Sequence, residues 1–425
     1  MNRLDATAIA EAVCSGTITP AVVAEHFLER IERHEQDIRV FASFDPQAVR
    51  QQIKSADGPL AGVPVGIKDI FDTADHPTEF FSPIYQGNRP SRDAHVVALL
   101  RLAGAVIMGK THTTEFAYMH TGPTRNPHDL SRTPGSSSAG SAAGMAAGFF
   151  PLALGTQTAG SLLKPAAYCG LYAFKPSLGL VSLEGVKPLA PSLDTVGWYG
   201  RSVRDLERLA QVLIPGLPVP EPLGRPLNLG FCRTARWQDV DPIVAQAIEQ
   251  AVAQLASMGH HISEVTLPDA FDDVFDDHQL INDCEGARSL AKEFQAHPEL
   301  LSDSTLAMIE RAAATPWQQE SEAKARLMKL APWLTRICRP FDGMLSVSCG
   351  MLAPTGLAST GPSDFIKFWG AFGWPQVNIP LWPEALPVGL QVVGRFREDA
   401  QLLRVAHAIN QVLHREPASS KKRGA

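Results

Sequence analysis

"GTQTAGSLLKPAAYCGLYAFKPS", residues 155–177, is the stretch whose reading settles both fold and chemistry. It passes from a turn of small residues through Ser161 into a segment that Pro165 cuts short, then into the strand-like "CGLYAFKPS". Two readings of the turn stand side by side. Gly155, Ala159 and Gly160 leave backbone N–H groups unshielded just before Ser161, as a pocket for a developing oxyanion requires. The same residues also suit a plain tight turn between strand and helix. Upstream lies a second tract of tiny side chains, "TPGSSSAGSAAGMAAG" (133–148), with consecutive hydroxyls at Ser136, Ser137 and Ser138. So little side chain implies backbone brought unusually close to a neighbour.

Outward from this stretch, helix and strand patterns alternate. Residues 5–36 read as two helices, the second opened by Thr19 as N-cap with Pro20 behind it. "GVPVGIKDIFD" (62–72) has the rhythm of a buried strand, "AHVVALLRLAG" (94–104) that of a helix with a glycine cap, and "AVIMGKT" (105–111) again that of a strand. A helix over "SVRDLERLAQVL" leads to a proline-rich joint at 214–226. "LNLGFC" and "HHISEVTLP" then read as strands around a helix, and 269–340 is mostly helical. "FDGMLSVS" and "LPVGLQVVG" return to strands before a final helix. This order predicts an α/β fold around a mixed sheet, with 214–340 reading as an insertion into one domain.

Composition narrows the classes. The 425 residues are 45% hydrophobic and 19% charged, with a net charge of −6. That balance gives no basic face for nucleic acid. The only basic cluster, Lys421, Lys422 and Arg423, sits in what reads as a frayed tail. The six cysteines show no CxxC spacing, so neither a disulfide framework nor a zinc site is expected. No signal peptide and no membrane span are expected, and the reading is a cytoplasmic protein. "DDVFDDHQ" (272–279) reads as an acidic, solvated loop or helix start, not a metal site. His112 reads as a packed strand histidine. Phe116, Trp369, Trp374 and Met351 read as core.

Two motif matches fail on context. "GAVIMGKT" (104–111) fits the P-loop pattern, but Ala-Val-Ile-Met is strand and not a phosphate-cradling loop. "SLLK" (161–164) fits S-x-x-K, yet its companion motifs are missing and Pro165 breaks the helix that would aim Lys164 at Ser161.

What remains is Lys68 at a strand end, the serines 136–138 and the 155–177 stretch. In this order the Gly/Ser-rich tract, G-T-x-T-x-G-S, P-A-x-x-C-G and K-P-S resemble the amidase signature family, over about 15–215 and again 340–405. "GVPVGIKDIFD", "GKTHTTEFA" and "LPVGLQVVG" match further segments of it. The resemblance implies one amidase-signature domain over 1–425: a central mixed twisted sheet covered by helices on both faces. Its core would be 55–215 and 340–415, with a variable helical segment (216–339) that determines substrate and a disordered tail (416–425).

The resemblance further implies Ser161 as nucleophile, Ser137 as bridging serine after a cis peptide bond from Ser136, and Lys68 as general base. The backbone amides of Thr158, Ala159, Gly160 and Ser161 would hold the oxyanion, and Ser138 and Tyr118 would contact substrate. Such a base must be neutral near pH 7, against an ordinary lysine value of about 10.4, and burial beside Val-Pro-Val-Gly-Ile can do that. Asp69 should point to the other face of the strand.

The implied activity is hydrolysis of a small carboxamide through an acyl-enzyme, with no metal or organic cofactor, and is compatible with a homodimer. Gln157 and Leu163 stand where the family commonly has Asp and Arg, and Ser136 and Ala139 replace glycines. Losing both charges together leaves neither unpaired. These departures argue against the A-type glutaminase component of a tRNA-linked amidotransferase, which is the alternative reading; a non-catalytic member of a complex is a lesser one.

Overall fold

The computed structural model describes residues 1, 4–53, 57–219 and 221–414. The expected tail over 416–425, with its basic cluster, lies outside the described residues. The N-terminal helices form as their caps dictate: Thr19 accepts from the Val22 amide and Pro20 opens the helix Pro20–Ile38.

The strands are β1 (Phe41–Ser43), β2 (Pro64–Lys68), β3 (Val106–Thr111), β4 (Leu152–Gln157), β5 (Tyr172–Lys175), β6 (Thr195–Gly200), β7 (Asn228–Cys232), β8 (His261–Val265), β9 (Gly343–Val347), β10 (Gln376–Leu381) and β11 (Val388–Val393). All join one mixed sheet in the order β1-β3-β2-β4-β6-β5-β10-β11-β9-β7-β8. Strands β2, β3, β4, β6, β9 and β11 are buried along their whole length. A strand buried on both pleat faces needs cover on both sides, and helices supply it. "GAVIMGKT" is strand β3, with Gly104 turning out of the preceding helix, so no phosphate loop exists there.

The N-terminal half of the sheet meets the C-terminal half where β5 pairs with β10. Strands β7 and β8 continue the same sheet beyond β9 with the helix Pro242–Ser257 between them, so part of 216–339 is sheet, and the mostly helical stretch follows from about residue 269. There the helices Val274–Ser289 and Trp317–Cys338 pack over a second apolar cluster with Phe271, Phe275, Phe368 and Trp374. Strand β10 has no clear signature in the sequence, because Gln376 and Asn378 are buried polar residues and Pro380 pairs mid-sheet with Gly389.

The tract of tiny residues becomes the helix Ala139–Ala146, buried almost all round. A Cβ on Gly140 would come within 2.5 Å of the His112 amide and 2.6 Å of the Val40 carbonyl. This helix lies backbone against backbone on the sheet, which is what the small side chains permit. Among the described residues, no helix is long and apolar enough to cross a membrane.

Candidate active site

Strands β2 and β4 run parallel, so their carboxyl ends open on the same edge. Lys68 closes β2 there, fully buried. Its Nζ donates to Ser137 Oγ and to Thr156 Oγ1, each at 2.7 Å. Its hydrogen bonds go to hydroxyls, and it joins no ion pair among the described residues. Burial holds the amine well below the ordinary 10.5, and the charge of Asp194 pulls it the other way. Asp69 points to the opposite face, as strand alternation requires, and pairs at 2.9 Å with buried Lys110.

The peptide bond from Ser136 to Ser137 is trans, against the cis bond implied by the family resemblance. Gly135, at φ 121°, already turns the chain at this point. From this turn Ser137 reaches Lys68 with the 136–137 bond trans. The serine tract touches the Ser161 turn directly: Ser136 Oγ donates to the Gly160 carbonyl at 3.4 Å. Ser161 lies beside it, and no hydrogen bond joins its hydroxyl to Ser137 in this conformation. The amides of Ala159, Gly160 and Ser161 donate to no acceptor among the described residues. Ser138 stands apart, bridging the amide and carbonyl of Thr156 at 3.3 Å.

The turn is clamped from three sides. Thr158 Oγ1 donates to Asp194 at 2.5 Å, while the other carboxylate oxygen of Asp194 accepts from the Leu189 and Ala190 amides. On the far side His278 Nε2 lies 3.1 Å from the Thr158 carbonyl. Burial pushes His278 down to about 3, so the ring is neutral and Nε2 carries the proton toward that acceptor. Behind Ser161, Gln157 Oε1 accepts from the Leu162 and Leu163 amides at 3.3 and 3.0 Å, and its Nε2 donates to Gln376 at 3.2 Å. "DDVFDDHQ" opens the helix Val274–Ser289 with Asp272, Asp273 and Asp276 exposed, as read, but Asp277 and His278 are buried, and Arg326 grips the Asp277 carboxylate with two donors.

Ser161 and the turn form one wall of a cavity of about 280 Å³. Tyr118 and Met119, Gln279 and Asn282, and Ser363 and Lys367 supply others. Tyr118 is fixed there by Arg311, which donates to its hydroxyl at 2.8 Å, and by Asp283. Phe116, Trp369 and Trp374 are core. His112, half-buried just past the end of β3, lies with its backbone against Gly140 of the small-residue helix, and burial pushes it down to about 4. Lys164 of the "SLLK" run turns from Ser161 to the Gly361 carbonyl and the Thr360 hydroxyl.

The family model described as "Amidase" matches residues 22–403. The chain belongs to the amidase family. It is 31% identical to the A component of the glutamyl-tRNA(Gln) amidotransferase of Symbiobacterium thermophilum, over 96% of this chain and 97% of that protein. It resembles the solved structure of an amidase at a TM-score of 0.88 with 30% identity, covering 96% of this chain and all of that one. The native peptide amidase of Stenotrophomonas maltophilia matches at a TM-score of 0.83 with 25% identity, over 97% of each chain. The sequence singles out Lys68 at a strand end, the serines 136–138 and the Ser161 turn, and the family resemblance picks Ser137 among the serines. Neither points to Thr156, Asp194, His278 or Lys367. Asp194 stood before a strand in "SLDTVG" as the only cue, and His278 and Lys367 reach the site from distant helices.

Proposed function

We propose that this amidase-family chain hydrolyses the C–N bond of a carboxamide through an acyl-enzyme on Ser161. The observation that carries the reading is Lys68: a buried amine without a carboxylate partner, 2.7 Å from Ser137, beside a turn with three unengaged amides. When substrate fills the cavity, Ser161 turns to Ser137, a hydrogen bond that such sites often complete only with substrate bound. Neutral Lys68 takes the Ser161 proton through Ser137 as Ser161 attacks the carbonyl carbon. The amides of Ala159, Gly160 and Ser161, with Thr158, hold the oxyanion. The proton returns by the same relay to the leaving nitrogen, the C–N bond breaks, and ammonia or an amine departs. Water then attacks the acyl ester with Lys68 again accepting the proton, which restores Ser161 and frees the carboxylate.

A serine-directed sulfonyl fluoride should label Ser161, seen by mass spectrometry of the digested protein. Lys68→Ala should abolish ammonia release from amides while leaving the circular dichroism spectrum intact. Labelling that persists in Ser161→Ala, or neutral-pH turnover by Lys68→Ala, contradicts the mechanism.

The names of the curated relatives favour a second reading, in which the chain is the glutaminase component of an amidotransferase. They weigh against the argument drawn from Gln157 and Leu163. Ammonia release from glutamine that appears only with partner proteins supports this reading; release from simple amides by the chain alone supports the first.

A further inference from the structure

The cavity beside Ser161 has an unusual charge inventory. Its charged lining residues are Lys164, Asp364 and Lys367. Lys367 donates to Gln279 Oε1 at 3.0 Å, and among the described residues its other two ammonium donors meet no protein acceptor. Asp364, Asp283 and Asp276 act on it through space, but none closes an ion pair with it. Asp283 is already engaged by Arg311 and Gln279. Lys164, almost fully buried, donates to the Gly361 carbonyl and the Thr360 hydroxyl, feels Asp364 through space, and likewise closes no ion pair among the described residues.

Two other enclosed amines are paired with carboxylates, Lys110 with Asp69 and Lys187 with Glu293, and Lys175 lies in the field of Asp399. An enclosed ammonium lacking a counter-charge is costly, and lysine is rarely buried unpaired. Two ammonium groups face this cavity against one carboxylate, Asp364, so it keeps an excess positive charge that an anionic ligand would balance, and carboxylate oxygens accept charge-assisted bonds from ammonium groups.

We infer that this cavity takes amides that also carry a carboxylate, held by Lys367 with Lys164 behind it. The inference rests on the reading of the Ser161 cavity as the substrate site. It narrows the substrate from carboxamides in general to monoamides of acids with a second, free carboxylate.

Binding can be tested apart from turnover. Calorimetry on Ser161→Ala protein compares glutaramate with pentanamide, which match in length and differ in the terminal carboxylate. Glutaramate should bind at least tenfold tighter. Lys367→Met should remove most of that preference, and Lys367→Arg, which keeps the charge, should retain it. Glutaramate binding that is undetectable, no tighter than pentanamide, or insensitive to Lys367→Met overturns the inference.

Ammonia release by the unsubstituted chain separates the two claims. Selective binding of glutaramate without its hydrolysis leaves the carboxylate site standing and counts against the hydrolase mechanism. Equal hydrolysis of both amides does the reverse.

Discussion

Asp194 shows how one side chain acts on two parts of the site. Its carboxylate takes the Thr158 hydroxyl on one oxygen and two backbone amides on the other, and its charge favours the protonated form of Lys68. Burial lifts Asp194 itself to about 6. In the proposed mechanism the neutral amine is the active form, so kcat/KM rises with pH as Lys68 gives up its proton. Burial sets that limb below the ordinary 10.5; Asp194 moves it back up. Asp194→Asn keeps an acceptor for Thr158 but removes the charge, so the limb should shift to lower pH. A pH profile of kcat/KM for any amide that is turned over checks this. A limb that stays put, or moves up, shows that the Asp194 charge does not act on Lys68. This arrangement was hidden in the sequence for a physical reason. Lys68, Ser137 and Ser161 sit in compact motifs, whereas Asp194 and His278 grip Thr158 from 36 and 120 positions away.

The serine tract reaches the site through its turn and the helix behind it. At Gly135 the chain takes φ 121°, and an added Cβ would lie 2.8 Å from Pro165 Cα and 2.9 Å from its nitrogen. Gly135→Ala meets both the conformational penalty and the clash with backbone that cannot rotate away. The cost should be roughly 2 kcal/mol or more, read as a lowered urea midpoint together with loss of amide turnover. An unchanged midpoint would mean that the turn does not depend on Gly135. Longer helices such as Pro20–Ile38 and Val203–Leu213 were legible from 3.6-residue periodicity, down to the Thr19 cap, whereas Leu163–Cys169, which runs through Pro165 against expectation, was not. The small-residue tract announced close backbone approach, expected against the Ser161 loop; Gly135 does press on Pro165 there, while Gly140 lies against the His112 and Val40 backbone, which the sequence did not indicate. Strand β10 was illegible because its buried residues include Gln376 and Asn378 and Pro380 stands one residue from its end.

At the scale of the molecule, the Ser161 turn is wired to the opposite half of the sheet through glutamine amides. Gln157 holds the Leu162 and Leu163 amides and donates to Gln376; Gln391 donates to the same oxygen at 3.0 Å, and Gln376 reaches the Ile366 carbonyl on the helix that carries Lys367. The sequence showed that an Asp and an Arg had been lost together; it could not show that a neutral amide chain had taken their place. Gln157→Leu keeps the volume but strands two buried amides and takes one of two donors from the Gln376 oxygen. At about 1–3 kcal/mol for each group left unsatisfied, the loss should be near 3 kcal/mol after partial relaxation. Gln376→Leu breaks the same chain from the other half. Because each substitution removes a partner the other needs, the double variant should unfold at a smaller total cost than the sum of the singles. Urea unfolding of the four proteins gives the coupling directly. Strict additivity would mean that the two halves of the sheet are held independently, and that the turn at Ser161 owes nothing to the strand across the junction.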